Sequence, residues 1–396
     1  MNRSDRGAER RPLRDGLRAL LAALALAGCG GGVDSGGTGA TASFVSGPIT
    51  GFGSVFVNGV HFDDTSAAVT DADGAPHSAD DLRLGMTTEI RGSAITTDAN
   101  GANVGVASSI VFGSELLGPL DRIDAATQLV VLGQIVDLSA ATVFDDVSLS
   151  GGLASLAPGD VLEVYALLDT ATGHYAATRI ERKSAVTAYR LRGAVSGLDT
   201  SAKTFSIGAD TISFAALSGP TPPALANGAI VRARLQTTPV AGVWALASLA
   251  DGVQQPRNLD QVRIEGLINA FASNAQFSVN GVAVDASGAQ PPAGLGLGVR
   301  VEVDGTASGA TLVASQVKIE TQSEVDGQQF ELRGPITSVD AAGASFVLRG
   351  VTVSYSGATD FRNGSAASLA ASVNVEARGT LSSDGTRLDA VRVTFR

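Results

Sequence analysis

A four-residue phrase returns along this 396-residue chain: Gly47-Pro48-Ile49-Thr50, Gly118-Pro119-Leu120-Asp121, Gly193-Ala194-Val195-Ser196, Gly266-Leu267-Ile268-Asn269 and Gly334-Pro335-Ile336-Thr337. The intervals are 71, 75, 73 and 68 residues. A period of this kind means that one small unit has been copied, so the fold of one unit is the fold of nearly the whole chain. A unit of about 70 residues has a marginal core. Neighbouring copies are therefore expected to share some apolar surface, stacked as a rod or a gentle arc.

Each phrase leads into two short apolar-alternating runs separated by Asn-Gly or X-Gly. Examples are Phe56-Val57-Asn58-Gly59-Val60-His61-Phe62, Phe277-Ser278-Val279-Asn280-Gly281-Val282-Ala283-Val284 and Phe346-Val347-Leu348-Arg349-Gly350-Val351-Thr352-Val353. Such runs predict a hairpin closed by a two-residue turn that needs positive φ. A short third element follows, as in Thr142-Val143-Phe144 and Thr359-Asp360-Phe361, and then one helical turn, which Ser78 with Asp81 is placed to cap. Two further strands close each copy, the fourth alternating strictly, as in Thr88-Glu89-Ile90-Arg91-Gly92 and Val373-Asn374-Val375-Glu376-Ala377. The predicted class is all-β: five tandem, five-stranded OB-like barrels, each with one short helical turn between strands three and four. The expected copies are 45–112, 117–182, 190–250, 263–320 and 331–396.

Residues 1–28 read as an export signal. Arg3, Arg6, Arg10, Arg11, Arg14 and Arg18 precede an uninterrupted Ala/Leu/Gly run from Ala19 to Gly28, too short to span a bilayer. The run ends Leu26-Ala27-Gly28-Cys29, and Cys29 is the only cysteine of the chain. This resembles a bacterial lipobox, which implies cleavage between Gly28 and Cys29 and acylation of the Cys29 thiol. Gly30, where an Asp would imply inner-membrane retention, favours the outer membrane. Residues 29–44 are a glycine-rich tether. With the six Arg and three acids of the signal removed, 22 basic and 36 acidic side chains remain, a net of −14. There is no basic stripe, so nucleic acid is not an expected partner. The expected partner is the membrane itself through the lipid, with an envelope protein or a polysaccharide as further candidates.

The lipobox, the glycine tether and the opening Gly47-Pro48-Ile49-Thr50-Gly51-Phe52-Gly53-Ser54-Val55-Phe56-Val57-Asn58-Gly59-Val60 resemble bacterial envelope lipoproteins built from tandem copies of domain of unknown function 5666. The resemblance covers residues 45–396 and is weakest in the third copy, where Thr221-Pro222-Pro223 interrupts the helical segment. It implies repeated small β-domains on an envelope lipoprotein and supplies no catalytic residue.

Candidate chemistry is sparse. Gly51-Phe52-Gly53 and Gly294-Leu295-Gly296-Leu297-Gly298 lack the strand-then-helix context of a phosphate loop and read as turns. His61, His77 and His174 fall at unrelated repeat positions. His61 is expected on the solvent face of its strand and His174 at a hairpin tip. Asp71-Ala72-Asp73-Gly74 lacks calcium-loop spacing and reads as a turn. Glu89, Glu163, Glu302 and Glu376 recur on strand four and are expected on the solvent face, guarding against edge pairing. A single sugar-stacking site near Trp244 stays open. No metal, cofactor or catalytic residue is assigned. The expected role is a non-enzymatic binding or scaffold protein of the envelope; a glycan- or peptidoglycan-binding protein is the alternative, and a hydrolase the third reading.

Overall fold

The computed structural model describes residues 42–217 and 225–396. The signal, Gly28, Cys29, tether residues 30–41 and Thr221-Pro222-Pro223 lie outside the described residues; the last two residues assigned to the tether, Ser43 and Phe44, are instead the buried start of the first strand.

The chain is nearly all β, and its strand pairing closes into small rings. In module one, strand Ser43–Phe52 pairs with Val55–Val57, which pairs with Val60–Asp63. Val60–Asp63 runs parallel to Asn103–Phe112, which returns through Thr87–Gly92 to the first strand. This 1-2-3-5-4-1 circuit is that of an OB-type barrel. The same circuit is traced within residues 116–183, 189–251, 259–319 and 330–395. The hairpin turns take the expected left-handed backbone: Asn58 and Gly59 have φ of 50° and 74°, Asn280 and Gly281 of 52° and 87°.

The recurrent phrase marks the point where the first strand changes partner. Pro48 is its last residue paired to strand four, and Ile49 its first paired to strand two. The same change falls at Leu120, Val195, Ile268 and Ile336. Each of these apolar residues is bonded in both directions to the loop that enters strand four. Gly85, Gly159, Gly228, Gly298 and Ser372 donate to Ile49, Leu120, Val195, Ile268 and Ile336 respectively. The strand thus bends from one side of the barrel to the other without leaving a buried amide unpaired. The Gly294–Gly298 run is this loop in module four.

Three expectations change. The modules are not stacked in chain order. The first strand of module one pairs in parallel with module four, Ser43–Ser46 against residues 261–264, and with module five, Gly51 and Phe52 against Glu331 and Leu332. Gly51 permits the latter, because a Cβ there would strike the Glu331 carbonyl oxygen. Modules two and three pair through Leu116 and Leu117 with Leu191 and Arg190. Cores merge accordingly: Ile49, Phe62 and Ile90 of module one share a cluster with Phe346, Leu348 and Val393 of module five. Leu120 and Leu162 join Phe205 and Val231, and Phe44 is inserted into the core of module four. Shared apolar surface was expected; an arc of sequential neighbours was not found, since modules of marginal size bury more area by packing on several sides.

The helical turn is also not universal. Modules one, two and five have 3-10 turns at Ala79–Asp81, Gly152–Ser155 and Ala366–Ser368, the first with the Asp81 carboxylate accepting from Ser78 N–H at 2.9 Å. Module four crosses residues 286–299 without one, a stretch whose Pro291-Pro292 and four glycines oppose helix. The one α-helix among the described residues, Gln322–Asp326, lies between modules four and five.

Candidate functional site

The third change concerns strand four. Alternation does aim Glu89, Glu163, Glu302 and Glu376 away from their own barrels, but the outer faces of the barrels are pressed on one another. Glu163 is largely buried and bonded to Lys183 at 2.9 Å and to Arg190 at 3.1 Å. Glu376 is 6% exposed and takes Arg333 at 3.1 Å, Arg378 at 2.7 Å and Arg396. Burial opposes ionisation of Glu376, but the Arg396 hydrogen bond and the three positive charges outweigh it and hold its carboxyl below the usual range. Glu302 stands 3.5 Å from Arg263, which is committed at 2.5 Å to Asp304. Burial, with Asp304, Glu265 and Glu320 nearby, pushes Glu302 up to about 7. These carboxyls lie on covered surface rather than guarding a free edge, and Glu163 bonds across modules to Arg190. Module three carries Arg232 at the same strand position.

Around Glu89 and Arg232 the modules leave a polar cavity of about 110 Å³. Its wall draws Ser46 and Glu89 from module one, Glu115 from the link that follows it, Leu167 from module two, Arg192 and Arg232 from module three, and Glu265 and Asn280 from module four. Arg192 and Glu115 form a buried pair at 2.8 Å, and Arg192 Nε also donates to Gly252 O. Arg232 donates to Ser114 O at 3.0 Å. Glu89 Oε2 is shielded from solvent and has no hydrogen-bond partner. Burial pushes the Glu89 carboxyl up to about 7 against the pull of Arg192, Arg232 and Arg91. Burial also lowers the Arg232 pKa; Glu115 opposes this, and repulsion from Arg192 and Arg190 adds to it. The cavity therefore brings together a carboxyl that titrates near neutrality and a guanidinium held by one carbonyl.

A second, wider cleft of about 500 Å³ lies between modules one and two. It holds a continuous ion-pair network: Asp73–Arg190 at 2.6 Å, Lys183–Glu181 at 2.6 Å, Arg179–Glu181 at 2.5 Å and Arg179–Asp145 at 2.7 Å. Burial works against Glu181, but Arg179 and Lys183 outweigh it and hold its carboxyl low. Asp73 thereby joins module one to module three. The Asp71–Gly74 segment is the expected turn, with Asp71 Oδ1 accepting from Asp73 and Ala75 amides at 3.0 and 2.8 Å.

The three histidines are not brought together. His61 is half-buried rather than solvent-facing: its ring stacks on Phe56 at 4.1 Å, and burial lowers its pKa. Ser54 Oγ is 3.4 Å from His61 Nδ1, with no carboxylate bonded to the ring's other nitrogen among the described residues. His77 lies 3.6 Å from both Asp71 and Asp81. His174 begins strand His174–Lys183 and bonds Asp137 at 2.9 Å, one residue beyond the turn at which it was expected. Trp244 is not an open platform: Tyr189 packs edge-on at 5.7 Å, and its indole donates to Asp210 at 3.0 Å. Asp210 also accepts from Gln134 of module two at 3.0 Å, another tie between modules. Among the described residues, no group of three His, Cys, Asp or Glu side chains is placed to hold a metal ion. The central cavity was missed from sequence; the one signal for it was Arg232 standing where the other copies have Glu.

No curated protein matches the sequence. A family described as a domain of unknown function (DUF5666) matches residues 118–181, 265–318 and 333–394, which fall on the second, fourth and fifth barrel circuits. The three matched segments repeat one barrel circuit, consistent with tandem copies of this domain.

Proposed function

We propose that the chain is a lipid-anchored, non-enzymatic protein of the bacterial envelope, acylated at Cys29 after cleavage behind Gly28, that works as a binding scaffold by contact with protein or polymer at the outer membrane. The observation that supports this best is the parallel pairing of strand Ser43–Phe52 with both module four and module five, which makes one body of units too small to be robust alone. A body of that kind presents a fixed surface rather than a string of independent weak sites, and its net charge of −14 beyond the signal disfavours nucleic acid.

Metabolic labelling with palmitate, followed by density separation of inner and outer membranes, tests the reading. The wild type is expected to carry label and to band with the outer membrane; Cys29→Ala is expected to lose both. Equal labelling and equal fractionation of the variant would refute the anchor. Sedimentation of the purified chain with isolated peptidoglycan separates the glycan-binding alternative, which requires saturable co-sedimentation.

A further inference from the structure

We propose that the cavity between modules one, two, three and four binds a small dipolar molecule with an amine at one end and a carboxylate at the other, that is, a free amino acid. The inference concerns the cavity alone and does not depend on the anchor or the scaffold reading. Its basis is a mismatch in pairing. Arg192 in the wall is matched by Glu115 at 2.8 Å, and Glu265 by Arg300 at 2.9 Å. Glu89 and Arg232 face the same space and are not matched: Glu89 Oε2 has no donor, and Arg232 has Ser114 O alone. A buried carboxylate left without a donor and a buried guanidinium left without a carboxylate each cost free energy. They oppose one another in sign across one cavity without touching.

The chemistry of the occupant follows. A simple anion would satisfy Arg232 but face Glu89. A simple cation would satisfy Glu89 but face Arg192 and Arg232. A molecule with a donor end and an acceptor end satisfies both and adds no net charge to the interior. The ammonium of an amino acid offers three donors to Glu89, and its carboxylate accepts the planar fork of Arg232. A volume of about 110 Å³ holds several waters and admits a small amino acid. Leu167 and Val282 are among the apolar residues of the wall and suit a methyl or hydrogen side chain. The charged groups that share the cavity with Glu89 are Arg192, Arg232, Glu115, Asp251 and Glu265, and Arg91 also acts on its carboxyl. An ammonium arriving among them favours the ionised carboxylate, so binding near neutral pH is accompanied by release of a proton from Glu89.

Calorimetric titration of the purified chain with L-alanine and glycine tests this, with ethylamine and acetate as half-molecules and two buffers of different ionisation enthalpy. Saturable one-to-one binding of alanine is expected, with proton release at pH 7 and with each half-molecule at least about tenfold weaker, tenfold being about 1.4 kcal/mol. Glu89→Gln is expected to weaken alanine by a similar factor and to abolish the proton release. Absence of saturable alanine binding would mean that the cavity holds water only and would overturn the proposal. So would acetate binding as tightly as alanine, which marks a plain anion site, or unchanged alanine affinity in Glu89→Gln. If that variant does not fold, the half-molecule comparison and the buffer dependence in the wild type decide the matter alone.

Discussion

Ser372 donates its amide to Ile336 O at 2.8 Å from a left-handed backbone with φ of 69°, where the other four modules place Gly85, Gly159, Gly228 and Gly298. The bond is the same in all five; the residue bearing the strain is not. An L-residue in this region costs about 1–2 kcal/mol, and glycine does not. Ser372→Gly is expected to raise stability by about 0.5–1 kcal/mol, after the greater unfolded-state freedom of glycine is deducted. A urea midpoint that fails to rise would show that Ser372 is held by something besides this loop.

Gly281→Val is expected to destabilise by more than the strain of a left-handed β-branched residue, which is about 1–3 kcal/mol. A Cβ at Gly281 would strike Val253, in the segment leading out of module three. Gly59 has a similar φ but meets only the Arg263 side chain at 3.0 Å. Gly59→Val is therefore the milder of the two, and equal losses in a denaturation series would contradict the Val253 contact.

Phe44 belongs to module one and is 2% exposed within the core of module four. Phe44→Ala is expected to cost about 3–5 kcal/mol. Hydrogen exchange should speed up at Ile264, Val301 and Val303 as much as in module one itself. Faster exchange confined to residues 43–112 would show that the two modules are not joined through this side chain.

Glu89 and Glu302, both pushed up to about 7 by burial, set a pH dependence of definite sign. In the folded chain they keep protons that the unfolded chain releases above the ordinary carboxylate range, so stability falls as pH rises through about 7. The slope is at most about 1.4 kcal/mol per pH unit for each group. His61, whose pKa is lowered by burial, acts in the opposite sense below about 6.5. Urea midpoints between pH 6.5 and 8 should therefore decline in the wild type and decline less in Glu89→Gln and Glu302→Gln. Parallel profiles for all three proteins would refute the assignment.

Proteolysis should distinguish the segments between barrels. Ser114 and Glu115, between modules one and two, are 1% and 6% exposed, and Ser114 receives Arg190 at 2.7 Å. Residues 184–188, between modules two and three, are largely exposed. Cleavage within 184–188 is expected to precede cleavage within 113–117, and the reverse order would mean that the interface around Arg190 opens readily.

Features set by near neighbours were legible in the sequence. The turns at Asn58-Gly59 and Asn280-Gly281 follow from two residues, and the barrel circuit from alternation and spacing. The recurrent phrase was visible, but its role as the point of partner exchange was not, because Gly85 and its counterparts act on it from 36 or so residues away. Glu89, Glu163, Glu302 and Glu376 were misplaced for a different reason. Alternation distinguishes the inside of a barrel from its outside; it carries no information on whether another barrel covers that outside. Ser43 and Gln261 meet across more than 200 residues of chain, and no local pattern encodes such a contact. The cavity at Glu89 is a product of that packing, and Arg232 in place of the Glu of the other copies was its one trace in the sequence.

The parallel contact between Gly51 and Glu331 has a consequence in time. Residues 43–112 leave the ribosome well before residues 330–395, yet Ile49, Phe62 and Ile90 pack in one core with Phe346, Leu348 and Val393. The earliest barrel to emerge is thus among the last to be finished. Until the final segment arrives it exposes an unpaired strand edge and an incomplete core, the state in which β-rich chains are most prone to associate wrongly. A truncation that spares every residue of module one, but stops short of Phe330, should make that module the aggregation-prone part of the chain.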